Sequence, residues 1–276
     1  MYPQTDPYDS GYLDVGDGHE LYYAQYGNPN GEAAVYVHGG PGGGCSYNEQ
    51  RYFDPHYFRV ILFDQRGAGK SKPYACTDHN SIRHLVNDLE MLRHHLDIAR
   101  WNLVGGSWGS ALSLFYALEH PQFVKRMLLR GIFLADLEGS LHIIEDGGAN
   151  RYRDDYFAQY RDLVPEDERQ QGLVRPYYRL LTQGTEEQAL EAATRFHLWD
   201  KAIANYNIDQ QGLTEIANNR EDNLAISRLF FHFVVNEYSA DNKIHLLSGQ
   251  DTLKDIPLDI VHGQEDYICP VANAGA

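Results

Sequence analysis

The chain has 276 residues, 43% of them hydrophobic and 12% aromatic, enough to bury one large core and too apolar for global disorder. Its 39 acidic and 23 basic side chains give a formal charge of −16, which repels phosphate backbones and anionic lipid and excludes nucleic acid as a natural partner. The start, MYPQTDPYDSGYLDV, carries neither a basic segment nor an apolar signal core, and no apolar run reaches the roughly 18 residues of a membrane span, so no membrane partner and a soluble cytoplasmic protein are expected.

In chain order, GYLDV, HELYYAQYG, AAVYVHGG and RVILFDQRG read as four strands, the last two apolar enough to be buried on both faces. Residues 81–98 follow with apolar positions Ile82, Leu85, Val86, Leu89, Leu92 and Leu96, a helical period. RWNLVGG is a strand, SALSLFYALEH a helix stopped by Pro121, VKRMLLRGIF a strand and IPLDIVHG another. Strands alternating with helices predict an α/β fold with a mostly parallel sheet. Between about residues 135 and 248 the periodicity is helical with no clear strand, which predicts a helical cap inserted into a core of residues 1–134 that resumes over 249–276. Cys45, Cys76 and Cys269 are too few and too scattered for a disulfide framework or a zinc site and read as reduced structural residues.

The chemistry gathers at two glycine-rich turns. Gly105-Gly106-Ser107-Trp108-Gly109 is a G-x-S-x-G pattern between a predicted strand and a predicted helix, the context of a nucleophile elbow. There the neighbours of the serine must be small, and the Trp108 N–H faces the place where an oxyanion forms. A plain turn whose serine caps the helix is the alternative. HGGPGGG, residues 38–44, follows a buried strand, where such a hydrolase supplies its second oxyanion donor. DQRGAGKS, residues 64–71, nearly spells a phosphate-binding loop. Asp64 stands where its first glycine is required and Pro73 breaks the helix that should follow, so a charged turn of Asp64 and Arg66 is expected instead.

HGGPGGG, FDQRGAGKS, NDLEMLRHHLDIARWNLVGGSWGS, HPQFVKRMLLRGIF and DIVHGQEDYICP together resemble the proline iminopeptidases, serine peptidases of the α/β-hydrolase fold. The resemblance implies a cytoplasmic aminopeptidase that releases N-terminal proline from small peptides through an acyl-enzyme, with no metal or cofactor. It implies Ser107 as nucleophile, Gly40 and Trp108 as oxyanion donors and Asp266 as the triad acid. Position alone leaves Asp266 either a catalytic group at a strand's C-terminal end or a surface aspartate beside Glu265.

The family's triad ends on a histidine after the acid, and after Asp266 this chain reads only YICPVANAGA. A chain incomplete at its C-terminus, short of a strand and a helix, is therefore expected to be inactive as it stands. His262 and His232 are the nearest upstream histidines, and both positions favour packing over catalysis. Members of the family also hold the substrate amine with cap carboxylates, one of them following a tryptophan. Here Asp200 follows Trp199, one methylene shorter than glutamate, and Phe230 occupies the second carboxylate's place, with Glu221 or Glu237 as possible substitutes. A carboxylesterase or amidase of the same fold, or a non-catalytic binding protein, are the competing readings.

Overall fold

The structure is a computed structural model that describes residues 1–46, 48–204, 207 and 209–275. Seven strands form one sheet: β1 (Asp9–Asp14), β2 (Glu20–Gly27), β3 (Glu32–Val37), β4 (Phe58–Phe63), β5 (Trp101–Ser107), β6 (Val124–Ile132) and β7 (Leu258–Val261), in the order β1-β2-β4-β3-β5-β6-β7. The pairings β1–β2 and β2–β4 are antiparallel, and all the others are parallel. This is an α/β-hydrolase fold, and the expected strands all form. β3 and β4 each end in four buried residues, as apolar runs covered on both faces should.

Helix α1 (Ile82–His95) starts at Ser81, whose hydroxyl accepts the His84 N–H, and buries Leu85, Val86, Leu89 and Leu92 at helical spacing. Helix α2 (Trp108–Glu119) leaves β5 directly and is buried along most of its length. Between β6 and β7 the chain is helical: α3 (Leu137–Ile144), α4 (Asp154–Arg161), α5 (Val174–Gln183), α6 (Glu186–Ile203), α7 (Gln210–Asn218), α8 (Asn223–Asn236), α9 (Ala240–Ser248) and α10 (Gln250–Leu253). Helices α4 to α8 pack on one another, whereas α9 and α10 return to α2. There Phe115 stacks on His245 with ring centres 6.1 Å apart, and Gly249 sits hard against Leu118, so the end of the helical segment packs back onto α2. Among the described residues no helix is long and apolar enough to cross a membrane.

The charged turn takes a different form from the one expected. Arg66, only 1% exposed, makes a two-pronged bond to Asp88 of α1, Nε–Oδ2 2.7 Å and Nη2–Oδ1 2.9 Å. Asp64 instead accepts from the N–H groups of Cys45 (2.7 Å) and Lys70 (2.8 Å) and ties two loops together. Sequence separation hid the pairing, since a guanidinium reaches whichever carboxylate the helix packing delivers. Removing Asp88 leaves the buried Arg66 its backbone bonds to His79 and Val15 and, as ion-pair partner, only the half-exposed Asp17 at 3.5 Å among the described residues. Asp88→Ala is expected to cost about 3–5 kcal/mol and to lower Tm by roughly 10 °C in a thermal melt, and a change under 2 °C would show that the pair is not holding the loop.

Candidate active site

The site forms where β5 turns into α2. Ser107 has φ 55° and ψ −125°, a conformation non-glycine residues rarely take, and its hydroxyl does not cap the helix. That disposes of the capping alternative. Two glycines make the turn possible: a Cβ at Gly109 would run into the Val37 carbonyl oxygen, and one at Gly105 into the Gly109 oxygen. The pattern is thus a steric requirement of the strand, turn and helix meeting this closely.

Trp108 is the first residue of α2, where a helix leaves its N–H without an intrahelical acceptor. The loop after β3 lies opposite. Gly39 approaches so closely that a Cβ there would stand 3.5 Å from the Ser107 Cβ, and Gly40, at φ +119°, lines the same cavity as Ser107. This loop is pinned by side chains that sequence reading did not single out. His38 donates Nδ1–H to the Gly39 carbonyl (2.9 Å) and accepts the Gln65 N–H at Nε2 (3.0 Å). The Gln65 amide donates to the His38 carbonyl (2.8 Å) and accepts the Trp108 indole N–H (2.9 Å). One glutamine therefore ties the loop after β3 to the start of α2. Burial holds the His38 imidazole below its usual pKa, so it is neutral and committed.

Asp266 lies on the other side of the serine. Its Oδ1 accepts the N–H groups of Ile268 (3.0 Å) and Cys269 (2.8 Å), which fix the carboxylate, and its Oδ2 lies close to Gly131. Ser107 and Asp266 both line a cavity of about 520 Å³, together with Arg130, Gly131, Gly263 and Tyr267. His262 is 3.8 Å from Asp266 Oδ2, but its Nδ1 accepts the Ile132 N–H (3.2 Å) and its Nε2 donates to the Cys269 carbonyl (2.8 Å). Both ring nitrogens are occupied by backbone. His232 is likewise a strut, bonded to the Asn80 carbonyl (2.8 Å). Among the described residues, no histidine lines either cavity that Ser107 opens onto. The Cys269 thiol is pushed up to about 12 by burial and by Asp266, so it stays protonated and takes no proton from the serine.

The second cavity at Ser107, about 100 Å³, is lined by Gly40, Phe133, Ile143, Phe196, Asp200, Ile226, Phe230, Ile268 and Cys269. It is smaller than the roughly 150 Å³ apolar cavity that accepts benzene. Asp200 is its one carboxylate, and burial raises its pKa. Phe230 packs against Phe196 with ring centres 4.9 Å apart and closes the cavity with apolar surface. Trp199 does not line it. Its ring is fully buried in the helical layer and its indole N–H donates to the Ile143 carbonyl (2.9 Å), which fixes the turn of α6 that presents Asp200. Glu237 accepts the Ile82 N–H (2.9 Å) at the start of α1, and neither it nor Glu221 lines the cavity.

Residues 34–275 match the family model of the alpha/beta hydrolase fold. The chain is 40% identical over 274 residues to a proline iminopeptidase of Arabidopsis thaliana, covering 99% of this chain and 72% of that protein. It is also 40% identical to the proline iminopeptidase of Xylella fastidiosa, covering 99% of this chain and 87% of the relative. Among solved structures, a proline iminopeptidase-related protein from Thermus thermophilus superposes with a TM-score of 0.54 at 19% identity, covering 96% of this chain and 94% of that one. A haloalkane dehalogenase variant from Bradyrhizobium elkanii gives 0.63 at 16% identity, covering 97% and 84%, and these two likenesses speak for the fold alone. With a strained serine on the elbow, an aspartate across from it and this extent of identity, the chain belongs to the proline iminopeptidase family of α/β hydrolases.

Proposed function

We propose that this chain is a serine hydrolase that releases N-terminal proline from small peptides through an acyl-enzyme on Ser107. The observation that carries the reading is the pairing, across one small apolar cavity, of the elbow serine with the Asp200 carboxylate. A pyrrolidine ring among Phe196, Phe230 and Ile143 would set its amine toward Asp200 and its carbonyl carbon toward Ser107. The hydroxyl attacks that carbon as a base takes its proton, the N–H groups of Gly40 and Trp108 take the oxyanion, the C–N bond breaks as that proton passes to the leaving amine, and water resolves the ester to free proline. A single oxyanion donor is typically worth about 2.7–4 kcal/mol of barrier.

We take Asp266 as the orienting acid of this site, one oxygen fixed by the Ile268 and Cys269 N–H groups and its side chain lining the same cavity as Ser107. The base is the part that the described residues do not bring to Ser107. His38, His232 and His262 are held by other bonds, and Cys269 is protonated. We therefore read the 276-residue chain as slow by itself, its residual rate coming from binding and the oxyanion donors.

A prolyl phosphonate ester, incubated with the chain and excess imidazole, is expected to label Ser107 and no other residue. Ser107→Ala should abolish the adduct, as read by mass spectrometry of the digested protein. An adduct retained in the alanine variant would remove the elbow from the mechanism. A carboxylesterase or amidase remains a second reading because Phe230 leaves the cavity with a single carboxylate. The two are separated by whether a free α-amine is required.

A further inference from the structure

Away from the serine, three segments converge on a cluster that the hydrolytic site does not use. Asp17 lies in the turn between β1 and β2, His79 in the loop before α1, and His84 in the first turn of α1. One carboxylate oxygen and one nitrogen from each imidazole all lie within 4.8 Å of one another. Zinc–nitrogen bonds of about 2.0–2.1 Å in tetrahedral geometry would bring such atoms to about 3.4 Å apart, a closure of little more than 1 Å by surface side chains.

His84 Nδ1 is 2.7 Å from Ser81 Oγ, the hydroxyl that caps α1, and its Nε2 is 3.9 Å from Asp17 Oδ2; in the tautomer that donates Nδ1–H to Ser81, the Nε2 lone pair is the one available to an ion. A hydrogen bond that fixes the far nitrogen is the usual support of a metal-bound imidazole. Arg66 opposes a cation here, but its charge is matched by Asp88, and its 3.5 Å contact to Asp17 is the weaker of its two ion pairs. Behind the cluster stands His19, 1% exposed. Its Nε2 bonds the Asp78 carbonyl (2.9 Å), and its buried Nδ1 has no partner among the described residues.

We propose that Asp17, His79 and His84 form a site for a borderline transition-metal dication, with Zn²⁺ the best match to two imidazoles and one carboxylate. The ion would join the β1–β2 turn to the loop and to α1. The same loop seats α8 through the His232 bond to Asn80 and the Glu237 bond to Ile82, so the clamp stiffens the support of the helical cap.

The test is calorimetric titration of the 276-residue chain with zinc chloride, paired with thermal melts. Asp17 and His79 are exposed and have φ +55° and +49°, a region asparagine tolerates, so Asp17→Asn with His79→Asn removes two ligands without disturbing the backbone. One ion per chain is expected, with Tm raised roughly 5 °C at about 100 times Kd and at least a tenfold loss of affinity in the double variant. No one-to-one binding, undiminished binding in the double variant, or an equal Tm rise with magnesium chloride would each overturn the site.

Discussion

Imidazole added to the 276-residue chain is expected to raise hydrolysis of a prolyl arylamide by about 10²-fold. A positioned general base is worth about 10²–10⁴, and a diffusible one recovers the lower part of that range because it lacks the advantage of being held in place. The increase should saturate, since the cavity of about 520 Å³ between Ser107 and Asp266 can hold the ring. It should follow the neutral form and so grow as pH rises through about 6.5–7. N-methylimidazole, which has no N–H to give Asp266 Oδ2, should rescue less, and Asp266→Asn should lower rescue by imidazole about tenfold or more. A rate that climbs linearly with imidazole and equally in Ser107→Ala is solution catalysis, and it would remove both Ser107 and Asp266 from their roles.

The elbow was legible because its glycines answer a steric demand that any strand, turn and helix meeting this closely would make. Gly105 and Gly109 touch backbone oxygen, and no other residue type fits. The strands were legible for a related reason, as continuous apolar runs such as VILF, residues 60–63, have few other places to go. Partners set by packing were not legible. Nothing local links Gln65 to both His38 and Trp108, or Arg66 to Asp88 rather than to nearby Asp64. Trp199 shows the same limit, because a tryptophan before an acidic residue suits a cavity wall or the core beneath it. Helical period alone also cannot tell α9, which lies on α2, from helices α4 to α8, which pack on one another. Asp17, His79 and His84 come from three segments whose approach exists only in the folded chain.

Asp200→Asn, measured with imidazole present, is expected to lower kcat/KM for a free prolyl arylamide about 10²-fold and to leave an N-blocked analogue nearly unchanged. Truncating one side of a buried charged contact costs roughly 2–5 kcal/mol, and only the protonated amine makes that contact. Burial raises the Asp200 pKa, so the acidic limb of kcat/KM should lie above the ordinary aspartate range and vanish in the variant. The same shift fixes the sign of a second effect. A carboxyl whose pKa is higher folded than unfolded contributes most below the unfolded value and loses that contribution as pH rises through the folded one. At pH 7 the ionised Asp200 therefore costs stability, and Asp200→Asn should raise Tm while lowering activity. Phe230→Glu adds a second carboxylate to the same cavity and should widen the preference for the free amine about tenfold, while buried like charges lower Tm. A variant Asp200→Asn that loses stability and keeps its preference for the free amine would place amine recognition elsewhere, and would leave the Asp200 carboxylate a packing residue of α6.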